Sequence, residues 1–328
     1  MAKNKRQFSF NTIYLVIFVL LVTSCAPLKK TEEARDLMNT SFTITVYDSD
    51  IPKSEKAIEM AFKEIERIES LLSHTKNTSE VYRLNRDGTI EGYSEDLYVN
   101  MQKALYYSEI SEGAFDITVQ PILDLFTKTF SELKRPPTED EIKKALELVN
   151  YKNIEFSRQK IKFKKADMKI TLGGIAKGYA VEKAAEILEK NGIKHALVNA
   201  KSSIKAIGNK GNEDWIIALQ NPRNPKEYVT VINLNNKSIS TSGDYERYFD
   251  ENKTFHHIID PKTGYSADDL ISVTIITDNA FDADALSTSV FVLGKEKGLD
   301  LIKRLGNAEG LIITRDKEII KSSGFKSR

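Results

Sequence analysis

The chain has 328 residues, 41% of them hydrophobic, which is enough to bury one large core or two smaller ones. Its 48 basic and 47 acidic residues nearly cancel, so no net charge favours nucleic acid as a partner. With a single cysteine, Cys25, the chain can form neither an internal disulfide nor a cysteine-based metal cluster.

The first 25 residues have the features of an export signal. Lys3, Lys5 and Arg6 give a basic start, and an uncharged apolar run over residues 13–22 follows it. This run is too short to cross a hydrocarbon core of about 30 Å as a helix. Residues 1–24 are therefore interpreted as a secretory signal peptide.

Cys25 stands directly after the signal peptide, and the residues before it, Val22-Thr23-Ser24, resemble the lipobox of bacterial lipoproteins. In a lipobox the cysteine thiol is diacylated, and the chain is then cut before that cysteine. An ordinary signal peptide with a chance cysteine is the alternative. The lipobox predicts an exported protein, lipid-anchored to a bacterial membrane on the extracytoplasmic side, with residues 25–35 as the lipidated cysteine and a polar tether.

The folded body is expected over residues 36–328, and its first half is rich in helix signals. Apolar and polar residues alternate over residues 38–47, which predicts a half-buried strand. Ser54 is placed to cap a first helix, a second helix is expected after Ser94, and Thr138 opens a third with a capping box.

The second half of the chain predicts short strands in runs that single helices interrupt. The expected strands are residues 169–172, 196–199, 204–207, 215–220, 229–234 and 271–277. The first leads into a helix over residues 175–191, and the last into a helix over residues 281–293. This order predicts an α+β fold of mostly antiparallel sheets with flanking helices.

A glycine turn lies between the first of these strands and its helix. Gly173 and Gly174 let a ligand approach the backbone, and the N–H groups at the helix N-terminus can bind an anion. Lys177, in the first turn of that helix, adds a positive charge for a phosphate. The glycine spacing matches neither a Walker loop nor a dinucleotide fingerprint, so a purely structural turn is the alternative.

A hydroxyl-rich turn over residues 240–245 is followed by His256, His257 and a strong turn over residues 260–264. Hydroxyl groups suit phosphate or ribityl oxygens. A histidine is the best candidate for a base near neutral pH, and the turn after His257 would hold that side chain rigidly. A surface histidine pair beside a turn is the alternative.

Asp284 and Thr288 are four residues apart on the last predicted helix and therefore share one face. A carboxylate and a hydroxyl presented together in a surface cleft suit Mg²⁺, which takes few protein oxygens and leaves room for phosphate oxygens. The alternative is a capping aspartate beside a packed threonine.

Taken in chain order, these motifs and three earlier segments resemble the signatures of the ApbE family, the FAD:protein FMN transferases. The matching segments are MNT at 38–40, SEVYRLN at 79–85, GAFDITVQP at 113–121, GGIAKGYA at 173–180, TSGDY at 241–245, HIIDPKTG at 257–264 and DALST at 284–288. They extend over nearly the whole chain after the signal peptide. The resemblance implies an ApbE-like fold with a cleft for FAD.

The resemblance also implies an activity and its residues. The family splits the pyrophosphate of its substrate FAD, places FMN on a threonine hydroxyl of an acceptor flavoprotein, and releases AMP. His257 is the residue implied to take the hydroxyl proton, and Met38 is implied to lie near the adenine. The residues implied to contact FAD are Met38, Ala114, Phe115, Asp116, Thr171, Lys177, Thr241, Ser242, Gly243 and Ile258.

Mg²⁺ is the cofactor that the resemblance implies. The family pattern places it between the Asp284 carboxylate, the Thr288 hydroxyl and the backbone carbonyls of Gly174 and Ser287. In that position it would neutralise the pyrophosphate and stabilise the charge that builds on the bridging oxygen.

Two places depart from the family pattern. Thr171 stands where an aspartate is common, which alters one polar contact to FAD. Lys201, Ser202 and Ser203 stand where Gly-Gly-Asp or Gly-Gly-Glu is usual, so side chains fill a place where a close backbone approach is expected. This departure motivates one alternative, a FAD-binding lipoprotein without turnover. The other alternative is a Mg²⁺-dependent FAD pyrophosphatase, in which water replaces the threonine and the products are FMN and AMP.

Overall fold

The computed structural model describes residues 27–252 and 254–327. Its strands are β1 (Lys29–Leu37), β2 (Thr40–Asp48), β3 (Thr89–Glu91), β4 (Ile154–Phe156), β5 (Lys160–Phe163), β6 (Ala196–Asn199), β7 (Ser203–Ile207), β8 (Trp215–Asn221), β9 (Asn224–Leu234), β10 (Ser238–Gly243), β11 (Leu270–Thr277), β12 (Glu309–Thr314) and β13 (Ile319–Lys321). Its helices are α1 (Ile51–Leu72), α2 (Glu80–Asp87), α3 (Glu95–Ile110), α4 (Gln120–Ser131), α5 (Glu139–Leu146), α6 (Ala176–Lys190) and α7 (Ala280–Leu305). The predicted signal peptide, residues 1–24, and the predicted lipidation site, Cys25, lie outside the described residues.

One large sheet has the strand order β1-β2-β6-β7-β10-β11-β12-β13. β3, β5 and β4 form a small second sheet, and β8 and β9 form a separate hairpin. The pairings in all three are antiparallel. Met38 and Asn39 join β1 to β2, with φ angles of 51° and 57°, as a two-residue type I′ hairpin turn requires. The predicted α+β fold with antiparallel sheets and flanking helices is confirmed.

The two faces of the large sheet are covered differently. α6 and α7 pack on one face, where Val273 and Ile275 of β11 point into the helical core. The β8–β9 hairpin packs on the other face, where Trp215, Ile239 and Ile271 are buried together. Each large apolar side chain buried in this way stabilises the fold by about 1.5–3 kcal/mol. The end of the sheet where β7 begins and β10 ends therefore lies between a helical layer and a hairpin.

The tether predicted over residues 25–35 is wrong from Lys29 onward, because this stretch forms β1 and pairs with β2 along its whole length. Its charged composition did not indicate a strand, but an edge strand needs one backbone partner and tolerates charges on its outer side. Arg35 shows how such a charge is used: its guanidinium lies 4.5 Å from the centre of the Phe62 ring and pairs with Glu59. The folded body therefore begins earlier than predicted.

Two further local predictions are wrong. Asp50 caps α1 in place of Ser54, because the Asp50 carboxylate accepts a backbone hydrogen bond from the first turn at 3.0 Å. Residues 169–172 form no strand, because their backbone groups bond to the Asn85 side chain and to the Ile117 carbonyl instead of to a neighbouring strand.

The hydroxyl-rich turn predicted over residues 240–245 is also wrong over its first part, because residues 240–243 pair as the end of β10 and the turn begins at Asp244.

The other predicted helices and strands are confirmed with small shifts. The capping box predicted at Thr138 is present at the start of α5, and Gly192, with a φ of 74°, follows the end of α6. α7 continues to Leu305 but is kinked at Gly294, where φ is 76°, so the end predicted at residue 293 marks that kink. Among the described residues, no helix has the length and apolar character needed to cross a membrane.

Candidate functional site

The site forms where α6 crosses α7. A Cβ atom placed on Gly178 would lie 2.2 Å from the Ala280 carbonyl oxygen and 2.6 Å from Asp284 Cβ. Only glycine therefore allows the two helices to approach this closely. The approach brings the Gly178 N–H within 2.9 Å of Asp284 Oδ2, to which it donates a hydrogen bond.

Asp284 is buried, with 4% of its surface exposed, and its carboxylate is held from several sides. Oδ1 accepts hydrogen bonds from the hydroxyls of Ser203 at 3.2 Å and Ser240 at 3.3 Å. The predicted position of Asp284 in a surface cleft is therefore wrong, because the close approach of α6 covers it. An ionised carboxylate has about four lone-pair sites. Three of them accept bonds here, which leaves one for a further ligand.

Ser287 and Thr288 lie one turn further along α7, where their hydroxyls meet that of Ser242 from β10. Ser242 Oγ lies 2.9 Å from Ser287 Oγ and 3.2 Å from Thr288 Oγ1, and both α7 hydroxyls also donate to the Asp284 carbonyl. A Cβ atom placed on Gly174 would lie 3.3 Å from Thr288 Oγ1, so the glycine turn before α6 abuts this cluster. The structure thus brings together the four residues predicted to bind the metal.

These groups fit Mg²⁺ in the kind of donor they offer. Mg²⁺ prefers oxygen ligands, commonly one or two carboxylates together with water and substrate phosphates. Asp284 supplies one carboxylate, and the neighbouring donors are hydroxyl and carbonyl oxygens. Within residues 27–252 and 254–327, no three His, Cys, Asp or Glu side chains gather into a metal site of the zinc type.

Lys177 connects the start of α6 to the turn between β6 and β7. Its ammonium group donates a hydrogen bond to Ser202 Oγ, and the Ser202 carbonyl accepts from the Thr241 N–H at 2.8 Å. Lys201 occupies the left-handed region with a φ of 59°, and its N–H donates to Asn199 Oδ1 at 2.8 Å. The lysine thus takes a conformation that glycine adopts more easily. The Asn199 side chain stabilises the turn.

The loop before α4 forms a second side of the site. Ala114 and Phe115 are buried, and a Cβ atom placed on Gly174 would lie 3.1 Å from Phe115 Cε2. The Asp116 carboxylate accepts from the Thr118 N–H and hydroxyl at 2.8 and 2.6 Å and from the Tyr151 N–H at 2.9 Å. Because both carboxylate oxygens accept these bonds, Asp116 orders the loop that presents Phe115. Burial raises the pKa of the Asp116 carboxyl group.

The other residues implied to contact FAD lie in different surroundings. Thr171 Oγ1 accepts from the Gly173 N–H at 3.1 Å and shapes the glycine turn. Met38 lies in the β1–β2 turn, at the same sheet end as the β6–β7 turn. Gly243 packs against the Tyr245 ring, and Ile258 belongs to the helical core.

Thr241 and Ser242 point to opposite faces of the sheet, because side chains alternate along β10. Ser242 points toward α7, whereas Thr241 Oγ1 lies 2.9 Å from Thr274 Oγ1 and faces the opposite side of the sheet. There it lines a cavity of ≈ 310 Å³ under the β8–β9 hairpin. The structure therefore does not group Thr241 with the hydroxyls near Asp284.

His257 lies in a hairpin that returns from the end of β10. Its N–H donates to the Arg247 carbonyl at 3.3 Å, and its Nδ1 lies 3.4 Å from the same oxygen. Burial lowers the pKa of His257 well below 6.5, and the positive charges of Arg247 and Lys177 lower it further. The imidazole is therefore neutral near pH 7, as a general base must be.

A model of the ApbE family matches residues 38–312. The chain belongs to the ApbE family. It is similar to the FAD:protein FMN transferase of Haemophilus influenzae, with 32% identity over 334 residues that cover 95% of this chain and 96% of the relative. It is also similar to the FAD:protein FMN transferase of Treponema pallidum, with 29% identity over 340 residues that cover 96% of this chain and 93% of the relative.

Solved structures of the ApbE family share the fold. The ApbE protein of Thermotoga maritima superposes with a TM-score of 0.82 at 33% identity, covering 90% of this chain and 97% of that one. The flavin transferase ApbE of Vibrio cholerae superposes with a TM-score of 0.81 at 25% identity, covering 91% of this chain and 99% of that one. The family resemblance stated from the sequence is confirmed.

Some residues of this ApbE-family site were missed in the sequence. Ser203 and Ser240 hold the Asp284 carboxylate, and the Gly178 N–H completes that set. One signal for Ser240 was available, because residues 240 and 242 share a face of β10 when side chains alternate. Ser203 carried no such signal, since it reaches Asp284 only through the pairing of β7 with β10.

His256 is expected to make the stability of this ApbE-family fold depend on pH. Its buried ring donates from Nε2 to the Ala267 carbonyl at 2.9 Å and accepts at Nδ1 from the Ile258 N–H at 3.3 Å, so it is held neutral. Burial lowers the pKa of His256 below its ordinary 6.5. The unfolded chain therefore binds the proton more readily, and stability should fall as the pH drops below about 6.5, by at most ~1.4 kcal/mol per pH unit.

Urea unfolding at about pH 7.5 and about pH 5.5 measures this dependence. The His74 and His257 rings also have lowered pKa values, so the contribution of His256 must be isolated with a variant. His256→Gln should show a weaker loss of stability between the two pH values than the unaltered protein. The same loss in both proteins would contradict the role assigned to His256.

Proposed function

We propose that this chain transfers FMN from FAD to a threonine hydroxyl of an acceptor flavoprotein and releases AMP. The observation that carries the proposal is the grouping of Asp284 with the Ser242, Ser287 and Thr288 hydroxyls, beside the helix start that carries Lys177. Such a set of oxygen donors and one cation suits a pyrophosphate and its metal. Membership in the ApbE family and the names of the curated relatives support the same reaction.

His257 is the proposed base. Its Nδ1–H faces the Arg247 carbonyl, so the lone pair is at Nε2. The acceptor hydroxyl oxygen attacks the phosphorus attached to riboflavin, and its proton passes to Nε2. The bond from that phosphorus to the bridging oxygen breaks, and the bridging oxygen leaves with AMP. Threonine then carries FMN through a phosphate ester.

The chain's own residues would hold Mg²⁺ through the Asp284 carboxylate, the Thr288 hydroxyl and the carbonyls of Gly174 and Ser287. When bound, the ion neutralises negative charge on the pyrophosphate. Lys177 adds a second positive charge, and its bond to Ser202 holds its ammonium group at the sheet end. The Phe115 ring packs against the glycine turn at Gly174 and gives the site an apolar side.

Acceptor labelling tests the proposal. Purified protein, FAD, Mg²⁺ and an acceptor flavoprotein subunit should give covalent flavin fluorescence in a denaturing gel. An acceptor whose target threonine is replaced by valine is the matched control and should stay unlabelled. Free FMN and AMP without labelling would overturn the proposal in favour of a FAD pyrophosphatase. Tight FAD binding without AMP release, with any divalent metal, would overturn it in favour of a FAD-binding protein.

We also propose that the protein is exported and lipid-anchored through Cys25. The proposal is supported by the basic start, the short apolar run and the lipobox-like residues before the cysteine. In a bacterial host, the unaltered protein should sediment with membranes and incorporate a fatty-acid probe. Cys25→Ala should lose both properties, and incorporation of the probe by that variant would contradict the anchor.

A further inference from the structure

Arg247 differs from the other arginines that the structure describes. Nine of them have a carboxylate oxygen within 4.0 Å of a guanidinium nitrogen: Arg35, Arg67, Arg83, Arg86, Arg135, Arg158, Arg223, Arg304 and Arg315. The Arg247 guanidinium has no such partner and donates no hydrogen bond to any described residue. Its neighbour Glu246 acts on it only at longer range.

The surroundings of Arg247 are rich in basic groups. The residue lies opposite His257 in the hairpin, and its positive charge lowers the pKa of both His257 and His74. Lys177, from the start of α6, acts on His257 in the same direction. Asp124, whose charge acts on His74, is already paired with Lys169 at 2.7 Å.

Burial lowers the pKa of Arg247, although the side chain reaches solvent. The side chain is exposed, and its guanidinium has no ion pair with a described residue to break, so an anionic ligand can reach it and bind it directly. Its position opposite His257 in the hairpin therefore indicates an anion subsite next to His257.

The position of this subsite selects one of the two phosphates of FAD. In an in-line displacement, the attacking and leaving oxygens lie on opposite sides of the phosphorus. His257 lies on the side of the attacking hydroxyl, so its neighbour Arg247 is closer to the attacked phosphorus than to the departing AMP phosphate. We propose that Arg247 binds the non-bridging oxygens of the FMN phosphate that is being transferred. This inference rests on the proposed function.

The planar guanidinium suits this task. Its N–H groups form a fork that matches two phosphate oxygens at once, and charged hydrogen bonds of this kind are stronger than neutral ones. Arg247 also has no internal ion pair to break before it binds. Its loss should therefore weaken phosphate binding without loosening the fold.

Flavin binding without metal tests the inference. In buffer with EDTA, fluorescence titration should show that the protein binds FMN more tightly than riboflavin, which differs only by the phosphate. Arg247→Gln should reduce this preference by about 10- to 100-fold, because charged hydrogen bonds to the phosphate are lost. Arg247→Lys should keep part of it. Arg158→Gln removes an exposed arginine paired with Glu95 and is the matched control, which should bind like the unaltered protein.

The affinity for AMP shows which of the two phosphates of FAD Arg247 binds. Arg247→Gln should bind AMP as the unaltered protein does, and an equal loss for AMP and FMN would overturn the assignment to the FMN side. An unchanged FMN preference in Arg247→Gln, or no preference in the unaltered protein, would overturn the subsite. Thermal unfolding of Arg247→Gln should match the unaltered protein. If glutamine disturbs folding, Arg247→Lys, which keeps the charge but not the planar fork, should still show a partial loss of the FMN preference.

Acceptor labelling by the unaltered protein separates this inference from the proposed function. Labelling together with an unchanged FMN preference in Arg247→Gln would overturn the inference alone. Absence of labelling and of AMP release would overturn the proposed function, while the ratio of FMN to riboflavin affinity still decides whether Arg247 binds the phosphate.

Discussion

Replacing Asp284 by alanine is expected to abolish measurable FMN transfer and also to destabilise the fold. The substitution leaves the Gly178 N–H without its acceptor and leaves the Ser203 and Ser240 hydroxyls with only their 3.0 Å contact to each other. A buried donor without a partner costs about 1–3 kcal/mol, which corresponds to a Tm lower by roughly 2–10 °C. Activity should fall by about 10²-fold or more, because the charge that would bind the metal is removed.

Asp284→Asn is the variant that separates these two effects. Asparagine keeps the shape of the side chain and a carbonyl oxygen that can accept from the Gly178 N–H, but it lacks the negative charge. We expect a smaller loss of Tm than in the alanine variant and an equally low rate of AMP release. Asp300→Asn removes an exposed carboxylate of the same helix and should change neither property. Mg²⁺-dependent activity that persists in Asp284→Asn would contradict the assignment of Asp284 to the metal.

Replacing His257 by glutamine is expected to lower kcat for FMN transfer by about 10²- to 10⁴-fold, the usual contribution of a general base. Glutamine can still donate a hydrogen bond to the Arg247 carbonyl, so FAD affinity and Tm should remain close to those of the unaltered protein. His195→Gln is the control, because His195 bonds to the Asn209 carbonyl outside the site. A loss below about tenfold would contradict the role of His257.

The pH profile of the unaltered protein gives a second test of His257. A base acts in its deprotonated form, and burial together with the charges of Arg247 and Lys177 holds the pKa of His257 well below 6.5. We therefore expect kcat to stay constant as the pH falls from about 8 to about 6.5 and to decline only at lower pH. An acid limb at or above pH 6.5 would contradict the assignment.

Local signals in the sequence were sufficient for much of the fold. The capping residue Thr138, the glycine after α6 and the alternation along β2 each mark an element through a short-range physical cause. β1 lacked such a signal, because the side chains of an edge strand are mostly charged and its pairing with β2 depends on the hairpin turn at Met38.

The site was predictable only in part, for a similar reason. Asp284 and Thr288 share a helix face, and that spacing can be read from the sequence alone. The depth of Asp284 depends on the approach of α6 at Gly178, which is a tertiary contact between residues 106 positions apart. Arg247 was missed because its distinguishing property is that no described carboxylate lies within 4.0 Å of its guanidinium. Such ion pairs form between residues far apart in the chain, so their absence cannot be read from the sequence.

The ratio of AMP released to flavin bound covalently by the acceptor tests the central claim most directly. Purified protein, FAD, Mg²⁺ and acceptor are incubated, AMP is quantified by chromatography, and acceptor-bound FMN is quantified by mass spectrometry. Transfer predicts equal amounts of AMP and acceptor-bound FMN throughout the reaction. Release of AMP together with free FMN, while the acceptor remains unmodified, would contradict it.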